Sequence, residues 1–135
     1  MSVDPRIEER VRGPAWDGIR QAFSHLLERV LAVGPDTRAE LTTIYVKFSI
    51  SCAPNAPVYA VAWLKTAKNV VIGFSLPEDA DDPLLMPAPS GMRYKGITKY
   101  FRLTPGESLP AGFSDWAHRA FLEATSGGKK RSRND

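Results

Sequence analysis

Apolar residues recur at three- and four-residue spacing over 14–33. Trp16, Ile19, Phe23, Leu26, Leu27 and Val30 form one stripe, with Asp17, Arg20, Ser24 and Glu28 opposite. That period predicts an amphipathic helix. Pro14 suits its first turn and Gly34-Pro35 stops it. The next stretch, "PDTRAE", reads as a short helical turn or loop. Alternation of period two then takes over. Over 41–50, Thr42, Ile44, Val46, Phe48 and Ile50 fall on one side, and Thr43, Tyr45, Lys47 and Ser49 on the other. This predicts a half-buried strand, broken by "APNAP" at 53–57.

Two further strands, Val58–Lys65 and Asn69–Leu76, flank the polar turn "TAKN". So short a connection predicts antiparallel neighbours. Residues 77–96 carry four prolines and two glycines and no period. A fourth strand, 97–103, sets Ile97, Phe101 and Leu103 against Thr98, Tyr100 and Arg102. Lys99 interrupts its apolar side and predicts an edge strand or a bulge. A second helix is expected over 109–125, with Ser108 as N-cap, Pro110 in its first turn and an end at Gly127-Gly128. Its stripe is Phe113, Trp116, Ala117, Ala120, Phe121 and Ala124.

The pattern predicts an α+β domain of order α-β-β-β-β-α. A four-stranded antiparallel sheet carries both helices on one face, in two layers. Ala60, Ala62, Leu64, Val70, Ile72 and Phe74 then point inward. The other face collects Tyr45, Lys47, Tyr59, Trp63, Lys65, Tyr100 and Arg102. A half-solvated sheet face needs polar residues, but not this many rings. Three coverings remain open for it: the 77–96 loop as a roof or pocket, a second copy of the chain, or a nucleic acid.

Length suits a single domain over 14–126, between a flexible segment 1–13 and a disordered basic tail 127–135. The net charge of +3 equals that of the last nine residues, "GGKKRSRND", so the remainder is formally neutral. Lys129, Lys130, Arg131 and Arg133 can touch a polyanion, or simply keep the chain solvated. No stretch approaches the ~20 apolar residues of a membrane span, and the N-terminus has no secretory signal pattern. One cysteine, Cys52, excludes an internal disulfide and fits a reducing, cytoplasmic setting.

Candidate catalytic chemistry is sparse. The two histidines, His25 and His118, fall on helices outside any motif, and Cys52 has no cation or histidine beside it. CxxC, HExxH, GxSxG and phosphate-loop patterns are absent. Glu78, Asp79, Asp81 and Asp82 lack the spacing of a calcium loop. No cofactor and no metal are expected. Gly91 and Gly96 bracket "MRYK", where Arg93 and Lys95 suit an anion clamp.

Four strings, "VGPDTRAELTTIYVKFS", "KTAKNVVIGFSLP", "DDP" and "FSDWAHRAFLEAT", resemble a family of uncharacterised bacterial domains. That family is loosely labelled "predicted transport protein" and is similar to YdhG-like small α+β domains. The resemblance spans about residues 16–125, with Tyr45, Lys47 and Gly96 matching its pattern. "PNAP" and the basic tail depart from it. It implies a fold and an accessory role, not an activity.

The resulting expectation is a non-catalytic binding module. Its outer sheet face and 77–96 loop hold a small ligand or a protein, through Tyr45, Lys47, Tyr59, Trp63, Lys65, Arg93, Lys95, Tyr100 and Arg102. A homodimer would bury the same face. The alternative is a nucleic-acid accessory protein using Lys47, Lys65, Arg102 and the tail.

Overall fold

The computed structural model describes residues 2–34, 36–51 and 56–134, with side chains over 3–34, 36–51 and 56–125. The elements are β1 (Ser2–Val3), α1 (Arg6–Arg10), a 3-10 turn (Pro14–Trp16), α2 (Arg20–Leu31), β2 (Thr37–Leu41) and β3 (Tyr45–Ile50). They continue with β4 (Val58–Thr66), β5 (Asn69–Phe74), β6 (Lys99–Leu103) and α3 (Phe113–Asn134). The fold is α+β. The sheet has six strands rather than four, in sequence order β1-β2-β3-β4-β5-β6. β1 joins β2 in parallel, and every other neighbouring pair is antiparallel.

One extra strand, β1, lies in the N-terminal segment, and the other, β2, precedes the first predicted strand and takes Leu41 from it. In β2, buried Thr37 and Ala39 alternate with exposed Arg38 and Glu40. This is a strand period too short and too polar to stand out in the sequence. The long alternating run 41–50 is cut by a turn, in which the Thr42 N–H and hydroxyl both donate to the Tyr45 carbonyl, at 2.8 and 3.1 Å. Ile44 therefore leaves the side shared by Val46 and Phe48 and packs on the opposite face.

The expected flexible segment 1–13 instead holds β1 and α1, with Ile7 and Val11 buried in the core. The helix expected over 14–33 is broken at Asp17-Gly18. Across the break, the Arg20 guanidinium donates to the carbonyls of Val11, Arg12 and Gly13 at 2.7–2.9 Å. The buried Thr37 hydroxyl donates to the Leu31 carbonyl at 3.0 Å and closes the C-terminus of α2. α3 starts at Phe113, so Ser108 is not its cap, and its helical backbone continues through Gly127-Gly128 to Asn134. Glycine permits a helix stop without imposing one, at about 1 kcal/mol per residue against alanine.

Two apolar clusters lie on either side of the sheet. The larger joins Val46, Phe48, Ala60, Ala62, Leu64, Val70, Ile72 and Phe74 to buried residues of all three helices. Phe113 and Trp116 of α3 seat against Phe74 and Phe101, with ring centroids 5.6–6.3 Å apart. The smaller cluster, Val61, Trp63, Val71, Ile97 and Tyr100, lies on the other face. Ile97 precedes β6 and belongs to this second cluster, against the expectation that it sits with Phe101 and Leu103. β6 is the last strand of the sheet, as the interruption at Lys99 predicts.

Candidate functional site

Cross-strand register assembles the outer face in two rows. Tyr45, Trp63, Val71 and Arg102 are successive partners, as are Lys47, Val61, Gly73 and Tyr100. Gly73 is the hollow of the second row. A Cβ there would lie 2.6 Å from the Tyr100 ring and would also collide with Ile97. The missing side chain lets both residues lie down on the sheet.

The 77–98 segment covers these rows. Met86, Ala88, Met92 and Tyr94 pack onto the cluster. Met86 and Tyr100 exchange backbone hydrogen bonds of 2.8 and 2.9 Å, so the loop forms a one-residue bridge along the edge of β6. Thr98 ties the far end, where its hydroxyl donates to the Leu76 carbonyl at 2.6 Å and accepts from the Leu76 N–H at 3.1 Å. Trp63 contacts Tyr45 and Tyr100 at ring centroids of 5.8 and 5.7 Å, and Tyr94 meets Tyr45 edge-on at 5.8 Å. Trp63 is only 3% exposed and Tyr100 1%. Burial pushes the Tyr100 hydroxyl pKa up, against the Tyr94 N–H and the charge of Arg93.

Tyr59 is a correction. The β3–β4 register runs Phe48↔Ala60 and then Ser49↔Val58, which leaves Tyr59 as an extra residue. This bulge turns Tyr59 toward the helices, where its hydroxyl donates to the Val30 carbonyl at 2.9 Å. Its ring meets Phe121 edge-on at 5.7 Å. It takes no part in the outer face.

The cations fare differently from the rings. Lys47, half-buried, lies 3.8 Å from Glu40 on the neighbouring strand. Lys65, Arg93, Lys95 and Arg102 are exposed and form no ion pair among the described residues. Lys65 Nζ reaches the roof, 3.7 Å from where a Cβ on Gly91 would stand. Gly91 and Gly96 both take positive φ, 78° and 87°, so the "MRYK" turn between them requires glycine at each end.

Two open hollows share Arg93, Tyr94 and Lys95. One, of roughly 860 Å³, lies between this turn, the start of β4 and α3. The other, of roughly 400 Å³, runs along Ile97, Thr98 and Tyr100.

No family model, curated protein or solved structure matches this chain.

The remaining candidates separate in space. His25 and His118 are exposed on α2 and α3, and Cys52 lies outside the described residues, as do the side chains of the tail. Asp79 pairs with Arg119 of α3 at 3.2 Å, tying the loop to that helix, and Asp82 accepts the Leu84 N–H at 2.9 Å within the loop itself. Among the described residues no three His, Cys, Asp or Glu side chains gather as a metal site requires. None of the helices described is long and apolar enough to cross a membrane. The pattern missed Tyr94, Met86 and Met92 as parts of the face and Ser75 as a wall of the larger hollow. For Tyr94, Met86 and Met92 the only signal was an aperiodic loop rich in proline and glycine, and for Ser75 there was none.

Proposed function

We propose that the protein is a non-catalytic binding module that holds an anionic ligand, or an acidic protein segment, on its roofed sheet face. One observation carries the reading. Lys65, Arg93, Lys95 and Arg102 stand exposed around the roof with no ion pair among the described residues, while the rings beneath are packed away. Arg93 and Lys95 line the hollows beside the roof; cations without an ion pair attract carboxylate or phosphate groups, and Arg93 and Arg102 can offer bidentate hydrogen bonds. Trp63 and Tyr100 hold the roof in place and, being buried, do not meet the ligand.

The nucleic-acid reading draws on the same cations. It loses its stacking platform, because Trp63 and Tyr100 present almost no surface to a base.

The test is a thermal-shift screen of organic and inorganic anions at low salt, on the wild type and on a variant with Lys65, Arg93, Lys95 and Arg102 all replaced by Ala. Anions that raise the wild-type Tm leave the variant unmoved. A screen in which both proteins respond alike, or neither responds, rejects the reading.

A further inference from the structure

The larger hollow has walls of different chemistry. Arg93 and Lys95 supply positive charge on one side. Pro57 and Val58 at the start of β4, with Ala124 of α3, supply an apolar side. The Ser75 hydroxyl, half-buried, makes no hydrogen bond among the described residues, and it lines the same space. Tyr94 lines the hollow too, its ring edge-on against Tyr45. The volume, roughly 860 Å³, falls in the ~300–1,000 Å³ range of small-molecule sites.

We propose that this hollow binds a small organic anion with one charged end, a carboxylate or a phosphate ester, and an apolar body. The proposal rests on the anion-binding reading above and narrows it to one seat and one ligand class. The charged end meets Arg93 and Lys95, and the Ser75 hydroxyl donates to it or to a neighbouring oxygen. The body lies along Pro57, Val58 and Ala124, with one edge on Tyr94. Glu123 stands on the α3 wall of the hollow. Its charge disfavours a second anionic group at that end, so the ligand enters in one orientation. Arg93 also lines the smaller hollow beside Tyr100.

The experiment is an amide-shift titration of the whole chain by NMR with three probes: phenylacetate, adenosine monophosphate and inorganic phosphate. The two organic probes separate a carboxylate from a phosphate-ester preference, and inorganic phosphate tests the need for a body. At least one organic probe is expected to shift Val58, Ser75, Tyr94, Gly96 and Ala124 saturably. Its affinity drops tenfold or more in R93A/K95A and stays unchanged in R38A/K68A, two exposed cations that line neither hollow. Inorganic phosphate binds more weakly than that probe. Shifts that centre on Lys47, Lys65 and Arg102, and vanish in K47A/K65A/R102A, overturn this seat while leaving anion binding on the roofed face standing. Organic binding that survives R93A/K95A also overturns it, as does inorganic phosphate binding as tightly as either organic probe. An absence of saturable shifts with all three probes overturns both this proposal and the reading it rests on.

Discussion

Tyr59 shows how one inserted residue redirects a side chain. Strict alternation along β4 would put it beside Trp63, but the bulge opposite Ser49 moves it one position out of phase. Its hydroxyl then becomes the hydrogen-bond partner of the Val30 carbonyl near the end of α2, a group helix geometry leaves without an intrahelical donor. Burial drives the Tyr59 hydroxyl pKa well up, so it remains a donor throughout the usual working range. Tyr59→Phe keeps the ring contacts with Phe48 and Phe121 and removes the hydroxyl that bonds the Val30 carbonyl. The expected loss is about 1–2 kcal/mol of unfolding free energy, read by urea denaturation. An unchanged midpoint would show that water replaces the hydroxyl. Alternation in the sequence could not reveal this, because a bulge is a property of two paired strands and leaves no mark in either one alone.

At the scale of elements, the 77–98 roof behaves as a second core rather than a surface loop. It is pinned at Met86 by a β-bridge, at Thr98 by side-chain hydrogen bonds, and in between by Met92, Tyr94 and Ile97 packed around Trp63. Trp63→Ala removes the centre of that packing. It is expected to cost about 3–5 kcal/mol, the range for large aromatic truncations in a core. Limited proteolysis is expected to cut within 84–96 in the variant before the wild type, because the roof loses its apolar anchor. Equal cleavage rates would mean the roof is held by its hydrogen bonds alone. The strands beneath were legible as apolar alternation. The roof was legible only as a long segment rich in proline and glycine, and its burial depends on which strand face it crosses.

Across the whole molecule, the N-terminal segment works as a strap that finishes the sheet. β1 pairs with β2, and the Asp4 carboxylate accepts the backbone N–H of Leu41 at 3.0 Å, at the end of that strand. Arg6 donates to both Asp4 and the Leu41 carbonyl, at 2.7 and 2.8 Å. These bonds occupy edge groups that would otherwise invite another strand. The Arg6 side chain, followed by the backbone N–H groups of Arg6 and Leu41, holds the Asp4 carboxyl well below its ordinary value of 3.8. A carboxyl lowered on folding contributes stability that is complete above its unfolded value and fades as pH falls through the range below it. The stability gap between wild type and Asp4→Ala is therefore expected to be widest near neutral pH and to shrink from about pH 5 to about pH 2. Urea denaturation at a series of pH values reads it. A gap independent of pH would assign the effect to packing and not to the charge.

The sequence by itself determined the amphipathic stripes of α2 and α3, the antiparallel hairpin of β4 and β5, the edge position of β6 and the cations of the outer face. Each follows from a local period or from the residue types at a turn. Only the tertiary structure decided that residues 37–41 pair as a strand, that Tyr59 faces the helices, that residues 2–11 join the core and that Trp63 lies under a roof. Those outcomes depend on contacts between segments far apart in the chain. A free strand edge or an uncovered ring is stabilised by whichever distant segment reaches it with matching hydrogen bonds and apolar area, and no local pattern names that segment.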